Sequence, residues 1–236
     1  VLVMELAEGG TLRDMLRSER GGALTDPERL QMVSQIAAGM SYLHSREIAH
    51  RDLKSLNVLL RKGACKIADF GLSREDDGVT ATSTVGVLGT PAWSAPEVLQ
   101  GKMDSPGAAF KADVYSFGVT IWEIYSCKTP WDGMKPLWIM NEVTNNKKSL
   151  DISAGWPAKI RALLVSCFKR NPDERPTMER IESDFPETSE QEPAGGGGAF
   201  PPGTPFSLSS DLAFSSKSAS EVHGALVTVG SGPANI

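Results

Sequence analysis

The chain has 236 residues, a net charge of -5, 40% apolar residues and 22% charged residues, a composition that is ordinary for one sizeable folded domain. The acidic balance argues against a nucleic-acid-binding surface, which needs a basic excess, and no apolar run approaches the ~20 residues of a membrane helix. Three cysteines without clustered spacing fit a reducing compartment and do not suggest a disulfide framework or a zinc site. The expected location is the cytoplasm, either for the protein itself or for the cytoplasmic part of a larger protein.

The first predicted elements are a strand and two capped helices. The apolar run Val1–Leu6 predicts a short buried strand. A short helix is expected over 11–16, with Thr11 as its N-cap. Thr25 and Glu28 have the spacing of a capping box, which predicts the start of a longer helix. That helix should bury an apolar stripe at helical spacing, formed by Leu30, Val33, Ile36, Ala37, Met40 and Leu43.

Short strands, a loop and further helices are predicted after this. The apolar runs at 58–60 and 65–68 flank a Lys-Gly turn and predict a small hairpin. Residues 72–88, rich in Ser, Thr and Gly, predict a mobile loop. The nearly all-apolar stretch 111–125 predicts a helix at the centre of the core. Later helices are expected near 136–144, 158–168 and 176–183.

The composition changes near the end of the folded part. From Pro186 onward the chain is rich in Gly, Pro and Ser, including a run of four glycines at 195–198. Such a composition is typical of flexible tails and linkers. We therefore expect one folded domain over residues 1–183 and a disordered tail over residues 184–236.

Five short motifs follow one another along the chain. Residues 50–57 read HRDLKSLN, 69–71 read DFG, 89–97 read GTPAWSAPE, 113–118 read DVYSFG and 171–176 read NPDERP. The tripeptide DFG alone is weak, because Asp and Gly beside an aromatic residue often form a plain turn. The five motifs in this order resemble the protein kinase family across residues 1–183.

The resemblance implies a fold and a reaction. The expected fold class is α+β, a protein-kinase-like fold that consists of the mainly helical C-terminal lobe with short strands. The N-terminal lobe is expected to be absent, because no glycine-rich loop or strand lysine of that lobe is found. The expected reaction is transfer of the γ-phosphoryl group of ATP to a Ser or Thr hydroxyl of a protein substrate, with Mg²⁺ as cofactor.

Four residues are expected to carry the phosphate chemistry. The resemblance implies that Asp52 is the catalytic base, which accepts the proton of the substrate hydroxyl. It also implies that Lys54 stabilises the transferred phosphoryl group. Asn57 and Asp69 match the two Mg²⁺ ligands, and hard oxygen ligands suit that ion. The alternative interpretation of Asp52 and Lys54 is that they are solvated surface residues, and that of Asn57 is a turn residue; the spacing of the motif favours the catalytic interpretation.

The resemblance also places an adenine site at the start of the chain. Met4, Glu5 and Ala7 match the hinge segment, where backbone groups of Glu5 and Ala7 would bind the adenine edge. Met4 would lie at the back of the pocket, and Leu59 would form its floor. Plain core packing is the alternative interpretation of Met4 and Leu59.

Other matching residues are expected to have structural or regulatory roles. Thr90 would contact Asp52 and Lys54, and Asp113 would hold the backbone of the 50–57 segment. Glu97 and Arg175 would form a buried ion pair. Packing roles are expected for His50 and Phe70. Arg51 would pair with a phosphorylated side chain in the mobile loop, added by an upstream kinase; the candidate acceptors are Ser73, Thr80, Thr82, Ser83 and Thr84.

Two classes of function remain open. Lys54 and Thr90 favour serine/threonine specificity, while Trp93 and the motifs at 113–118 and 175–177 resemble the tyrosine-kinase-like group, from which Ser94 departs because Met is usual there. The alternative is a kinase-like interaction module without catalysis. The intact catalytic set favours an enzyme. The missing motifs of the N-terminal lobe predict that the chain is a fragment of a longer protein, and the alternative is a naturally truncated protein. Without that lobe, the isolated chain is expected to have very low activity.

Overall fold

The computed structural model describes residues 7–69, 74–75, 90–103 and 107–186, all within one compact unit. Its helices are α1 (Leu12–Arg17), α2 (Glu19–Gly22), α3 (Asp26–Ser45), α4 (Pro96–Leu99), α5 (Ala108–Ser126), α6 (Pro136–Thr144), α7 (Ala158–Cys167) and α8 (Met178–Asp184). Its strands are β1 (Ile48–Ala49), β2 (Val58–Arg61), β3 (Ala64–Ile67) and β4 (Arg74–Glu75). This mainly helical architecture with short strands agrees with the α+β prediction. The predicted strand Val1–Leu6 and nearly all of the predicted tail lie outside the described residues.

The two predicted helix starts are confirmed by their caps. The side chain of Thr11 accepts a hydrogen bond from the backbone N–H of Asp14, at 3.1 Å. Thr25 and Glu28 form the complete capping box at the start of α3. The hydrogen bond from the Thr25 backbone N–H lowers the pKa of Glu28, so the carboxylate form that completes the cap is favoured.

The strands form two small antiparallel sheets. The predicted hairpin is confirmed as β2 and β3, with Val58 opposite Ile67. The other sheet pairs β1 with β4, so that Ile48 lies opposite Glu75. The prediction of a mobile loop over 72–88 is therefore wrong at residues 74–75, because their backbone pairs with β1. The rest of that predicted loop lies outside the described residues.

Helix α5 lies at the centre of the hydrophobic core, as predicted. Phe117, Ile121 and Ile124 are completely buried in it, and α5 contacts α3 and α7. Gly118 allows the close approach of α7, since a β-carbon there would lie 2.6 Å from the Cβ of Cys167. The helix begins at Ala108, three residues earlier than predicted, because Gly107 with φ of 77° supplies the turn before it.

The later helices also match their predicted positions closely. Helix α6 has the predicted limits, and α7 ends one residue early, where Phe168 becomes the C-cap. Helix α8 begins two residues late, because Thr177 caps it by accepting a hydrogen bond from the backbone N–H of Arg180. None of the helices in the described ranges is long and apolar enough to cross a membrane.

A buried ion pair joins the start of α4 to the segment before α8, as predicted. The Arg175 guanidinium donates to both carboxylate oxygens of Glu97, at 2.6 and 2.8 Å. Arg175 also donates to the carbonyl oxygens of Lys169 and Lys111, each at 2.8 Å. Its side chain is completely buried, and that of Glu97 is 9% exposed. Every charge in this cluster therefore has a partner, as burial requires.

Candidate active site

The segment 50–57 connects β1 to β2, and a side chain of α5 fixes its backbone. The Asp113 carboxylate accepts the backbone N–H groups of His50 and Arg51, at 2.7 and 2.8 Å, which confirms the predicted contact. The imidazole of His44 lies 3.0 Å from the same carboxylate. Arg51 has φ of 68°, a strained conformation for a residue with a side chain. Two charge-assisted hydrogen bonds hold the backbone in it.

Asp52, Lys54 and Thr90 form one hydrogen-bonded cluster. The Lys54 ammonium donates to Oδ2 of Asp52 at 2.5 Å and to the Thr90 hydroxyl at 2.8 Å. The Thr90 hydroxyl donates to the other carboxylate oxygen of Asp52 at 3.1 Å. Asp52 and Lys54 are only 13% and 15% exposed, so neither is an ordinary solvated surface charge. The predicted contact of Thr90 with both residues is confirmed.

Asn57 is oriented by the same carboxylate. Its amide nitrogen donates to the backbone oxygen of Asp52 at 2.8 Å and to Oδ2 of Asp52 at 3.2 Å. Because the nitrogen is committed to Asp52, the amide oxygen of Asn57 is left as an available ligand for a cation.

The base of the hairpin brings Asn57 and Asp69 to the same end. The backbone N–H of Ala68 donates to the Asn57 carbonyl at 2.9 Å, and Asp69 is the next residue. The ring of His50 bonds the Ala68 carbonyl at 3.1 Å, and so ties this end of β3 to the 50–57 segment. Asp69 is exposed and has φ of 61°. Phe70, predicted to pack beside His50, lies outside the described residues.

These oxygens fit Mg²⁺ better than they fit a transition metal. Within the described ranges, no three His, Cys, Asp or Glu side chains converge as a metal site. An ion held by one amide oxygen and one carboxylate would take its remaining ligands from water and phosphate. That pattern is the one Mg²⁺ prefers.

The predicted adenine site is only partly described. Ala7 is half-buried, while Met4 and Glu5 lie outside the described residues. The chain after Ala7 is fixed to β2, because Gly9 N–H donates to the Leu60 carbonyl and Leu60 N–H donates to the Gly10 carbonyl, both at 2.9 Å. A β-carbon on Gly9 would lie 2.6 Å from that Leu60 oxygen, so the approach requires glycine.

Leu59 lies on the face of β2 that is turned away from the core. Val58 and Leu60 are buried, whereas Leu59 between them is half-buried and outside the hydrophobic core cluster. Plain core packing therefore does not account for Leu59. A half-buried leucine beside the 7–10 segment is consistent with a surface that an apolar ring can cover.

A buried carboxylate that sequence reasoning missed links the 50–57 segment to the 90–97 segment. Glu123 on α5 is 3% exposed. It accepts hydrogen bonds from the Ser55 hydroxyl at 2.6 Å, the Ser55 N–H at 3.3 Å and the Trp93 indole N–H at 2.7 Å. The available signal was an acidic residue within the almost wholly apolar stretch 111–125, since buried charges are rare without partners.

Glu123→Gln is expected to lower the free energy of unfolding by about 1–3 kcal/mol. Three donors bind this carboxylate, and the NH₂ group of a Gln amide would point at one of them.

Burial raises the pKa of Glu123, although hydrogen bonds from Ser55 and Trp93 act in the opposite direction. Between the unfolded and the native pKa, the native state therefore binds more protons than the unfolded chain. The contribution of Glu123 to the free energy of unfolding is lost as the pH rises through the raised native pKa. Denaturant titrations across pH should show that fall in the parent chain and not in Glu123→Gln. Equal pH dependence of the two proteins would contradict the assignment.

Known proteins resemble this chain over most of its length. A family model described as protein tyrosine and serine/threonine kinase matches residues 1–185. Serine/threonine-protein kinase CTR1 of Arabidopsis thaliana is 38% identical over 179 residues, which are 75% of this chain and 21% of that protein. Serine/threonine-protein kinase BCK1/SLK1/SSP31 of Saccharomyces cerevisiae is 33% identical over 195 residues, 80% of this chain and 13% of that protein.

A third relative adds to this pattern. Mitogen-activated protein kinase kinase kinase zak-1 of Caenorhabditis elegans is 34% identical over 195 residues, 78% of this chain and 26% of that protein. The chain thus spans between 13% and 26% of the length of these three curated relatives.

Proposed function

Because the chain belongs to the protein tyrosine and serine/threonine kinase family, we propose that the protein transfers the γ-phosphoryl group of ATP to a Ser or Thr hydroxyl of a protein substrate. The family is the one that the five motifs in order predicted, so that prediction is confirmed. The observation that carries the proposal is the Asp52 carboxylate, which Lys54, Thr90 and Asn57 all bind. Three convergent donors hold one carboxylate at a fixed position, as positioned proton transfer requires.

Asp52 is the proposed base for the acceptor hydroxyl, and Lys54 the cation nearest the transferred group. The Lys54 ammonium contacts the Asp52 carboxylate directly, so the two opposite charges lie side by side at the proposed reaction centre. Thr90 joins both residues to the 90–97 segment, which we propose receives the protein substrate. Its hydroxyl accepts from Lys54 and donates to Asp52, so a shift of that segment would change the geometry of the base.

Asn57 and Asp69 are the proposed ligands of Mg²⁺. The Asn57 amide nitrogen is bound to Asp52, which supports the amide oxygen as one ligand, and the exposed Asp69 carboxylate supplies the other. When bound, the ion neutralises charge on the phosphates of ATP. Backbone groups of Glu5 and Ala7, with Met4 and Leu59, are the proposed adenine contacts.

Arg51 supports a proposed control by phosphorylation. Its Nε is buried, and this N–H donates no hydrogen bond within the described part of the chain. A buried guanidinium nitrogen without a partner is costly, and a phosphate oxygen would satisfy it. We propose that an upstream kinase supplies that phosphate in the 73–84 region, whose candidate acceptors lie outside the described residues. The unpaired thiols of Cys65, Cys127 and Cys167 support a reducing, cytoplasmic location.

The test of the proposed function is a phosphoryl-transfer assay on the complete protein. The protein is incubated with γ-labelled ATP, Mg²⁺ and a mixture of peptides that carry Ser, Thr or Tyr as the only acceptor. Labelled Ser or Thr peptides are the expected products, and chelation of Mg²⁺ should stop the reaction. Label on Tyr peptides alone would contradict the Ser/Thr specificity. No Mg²⁺-dependent transfer at all would favour the alternative of a non-catalytic interaction module.

A further inference from the structure

Two carboxylates of α5 hold the segment 50–57 near its two ends. Asp113 binds the backbone at the start of the segment, and Glu123 binds Ser55 near its end. Because an α-helix rises about 1.5 Å per residue, the two carboxylates lie roughly 15 Å apart along α5. The middle of the segment, which contains Asp52, therefore lies between two fixed points of one helix.

Glu123 also holds the segment 90–97. The indole N–H of Trp93 donates to its Oε2 at 2.7 Å, while the hydroxyl of Ser55 donates to its Oε1 at 2.6 Å. The backbone of Trp93 is bound to α5 as well, because the Ser116 hydroxyl donates to the Trp93 carbonyl at 2.9 Å. One helix therefore sets the distance between the two segments.

The two segments meet a second time at the proposed reaction centre. Lys54, the residue before Ser55, donates to the Thr90 hydroxyl at 2.8 Å. A turn joins Thr90 to Trp93, in which the Trp93 N–H donates to the Thr90 carbonyl at 2.9 Å. These contacts form a closed ring, which runs from Glu123 through Ser55, Lys54, Thr90 and Trp93 back to Glu123.

The buried side of this ring is shielded from water. Ser55, Trp93 and Glu123 are 0%, 7% and 3% exposed, so water has little access to replace a lost hydrogen bond. A buried polar group that loses its partner is costly, and the segment that carries it relaxes to recover one. Such a shift at Thr90 changes its hydrogen bond to Asp52. A misplacement of about 1 Å can cost roughly 10²-fold in rate.

We propose that Glu123 is a positioning residue for phosphoryl transfer. It holds Trp93, and through the turn it keeps the Thr90 hydroxyl against Asp52. The segment 90–97 thereby stays in a fixed position relative to the proposed base. Glu123 is too buried to contact a substrate, and it acts only through these other residues. This role rests on the proposed function, because it concerns the same reaction.

Trp93→Phe in the complete protein tests this role, because it removes the indole N–H and keeps an aromatic ring. We expect kcat/KM for an acceptor peptide to fall roughly tenfold, which is less than the cost of a 1 Å misplacement. The KM for ATP should be unchanged, because the proposed ATP contacts lie outside the segment 90–97. The backbone amide signal of Asp52 should shift, although this residue is distant from Trp93 in the chain.

Trp122→Phe is the matched control. Trp122 lies on α5 beside Glu123, but its indole N–H donates to the Asp151 carbonyl at 2.8 Å, outside both segments. The two variants each lose one buried indole hydrogen bond, so both should unfold at a lower urea concentration. Only Trp93→Phe should lower kcat/KM and shift the Asp52 amide signal. An equal fall of kcat/KM in both variants would overturn the positioning role, because lost stability alone would explain it.

A double variant shows whether Trp93 acts through Glu123. Trp93→Phe added to Glu123→Gln should lower kcat/KM little further, because the link is already broken. A second, full tenfold fall would overturn the role of Glu123. Dispersed amide spectra establish that each variant is folded; if Glu123→Gln is not, the comparison of Trp93→Phe with Trp122→Phe decides.

Failure of this role differs from failure of the proposed function. No phosphoryl transfer by the parent protein would overturn the proposed function. In a protein that does transfer phosphate, an unchanged kcat/KM and an unshifted Asp52 amide signal in Trp93→Phe would overturn the positioning role alone.

Discussion

Asp52→Asn is expected to lower the rate of phosphoryl transfer by the complete protein roughly 10²–10⁴-fold, the contribution of a positioned general base. An amide is a far weaker proton acceptor than a carboxylate. It also places an NH₂ group among the three donors Lys54, Thr90 and Asn57. The measurement is the initial rate of label transfer at saturating ATP and Mg²⁺.

The control for this variant is Asp132→Asn, at an exposed position outside the site. It makes the same chemical change and should leave the rate unaltered. Unfolding curves of both variants should show that the loss at Asp52 is not a loss of fold. Transfer at near-parent rates in Asp52→Asn would refute the role assigned to this carboxylate.

Arg175→Met is expected to lower the free energy of unfolding by about 3–5 kcal/mol, the typical cost of removing one partner of a buried ion pair. The Glu97 carboxylate, 9% exposed, would remain without its two hydrogen bonds. The carbonyl oxygens of Lys111 and Lys169 would also lose their donor. Urea denaturation of the 236-residue chain measures the change.

Two further variants separate the buried charge from lost packing. Arg180→Met breaks an exposed ion pair with Asp184, in which the arginine is 70% exposed, and should cost no more than about 0.5 kcal/mol. Adding Glu97→Gln to Arg175→Met removes the stranded charge and should recover part of the loss. A cost for Arg175→Met similar to that for Arg180→Met would show that the pair is not the stabilising contact described.

Local signals predicted much of the fold and of the candidate site. Thr25 and Glu28 are three residues apart, so the capping box needs nothing beyond neighbouring residues. Asp52 and Asn57 lie in one short segment, and their contact follows from its turn. The hairpin with its Lys62-Gly63 turn is equally local.

The remaining features depend on residues that are distant in the chain. Glu123 is 68 residues from Ser55 and 30 from Trp93, so no spacing rule could predict that contact. The pairing of β1 with β4 depends on a two-residue strand, which is too short to show a period.

Asn57 and Asp69 are the proposed ligands of one metal ion that is bound to the nucleotide. Mn²⁺, a paramagnetic substitute for Mg²⁺, tests this proposal through line broadening in spectra of the complete protein with ATP. The Asn57 side-chain amide and the Asp69 backbone amide are expected to broaden together at low Mn²⁺, and Asp69→Asn is expected to weaken the broadening at Asn57. Signals at both residues that stay sharp, or broadening of only one of them, would contradict it.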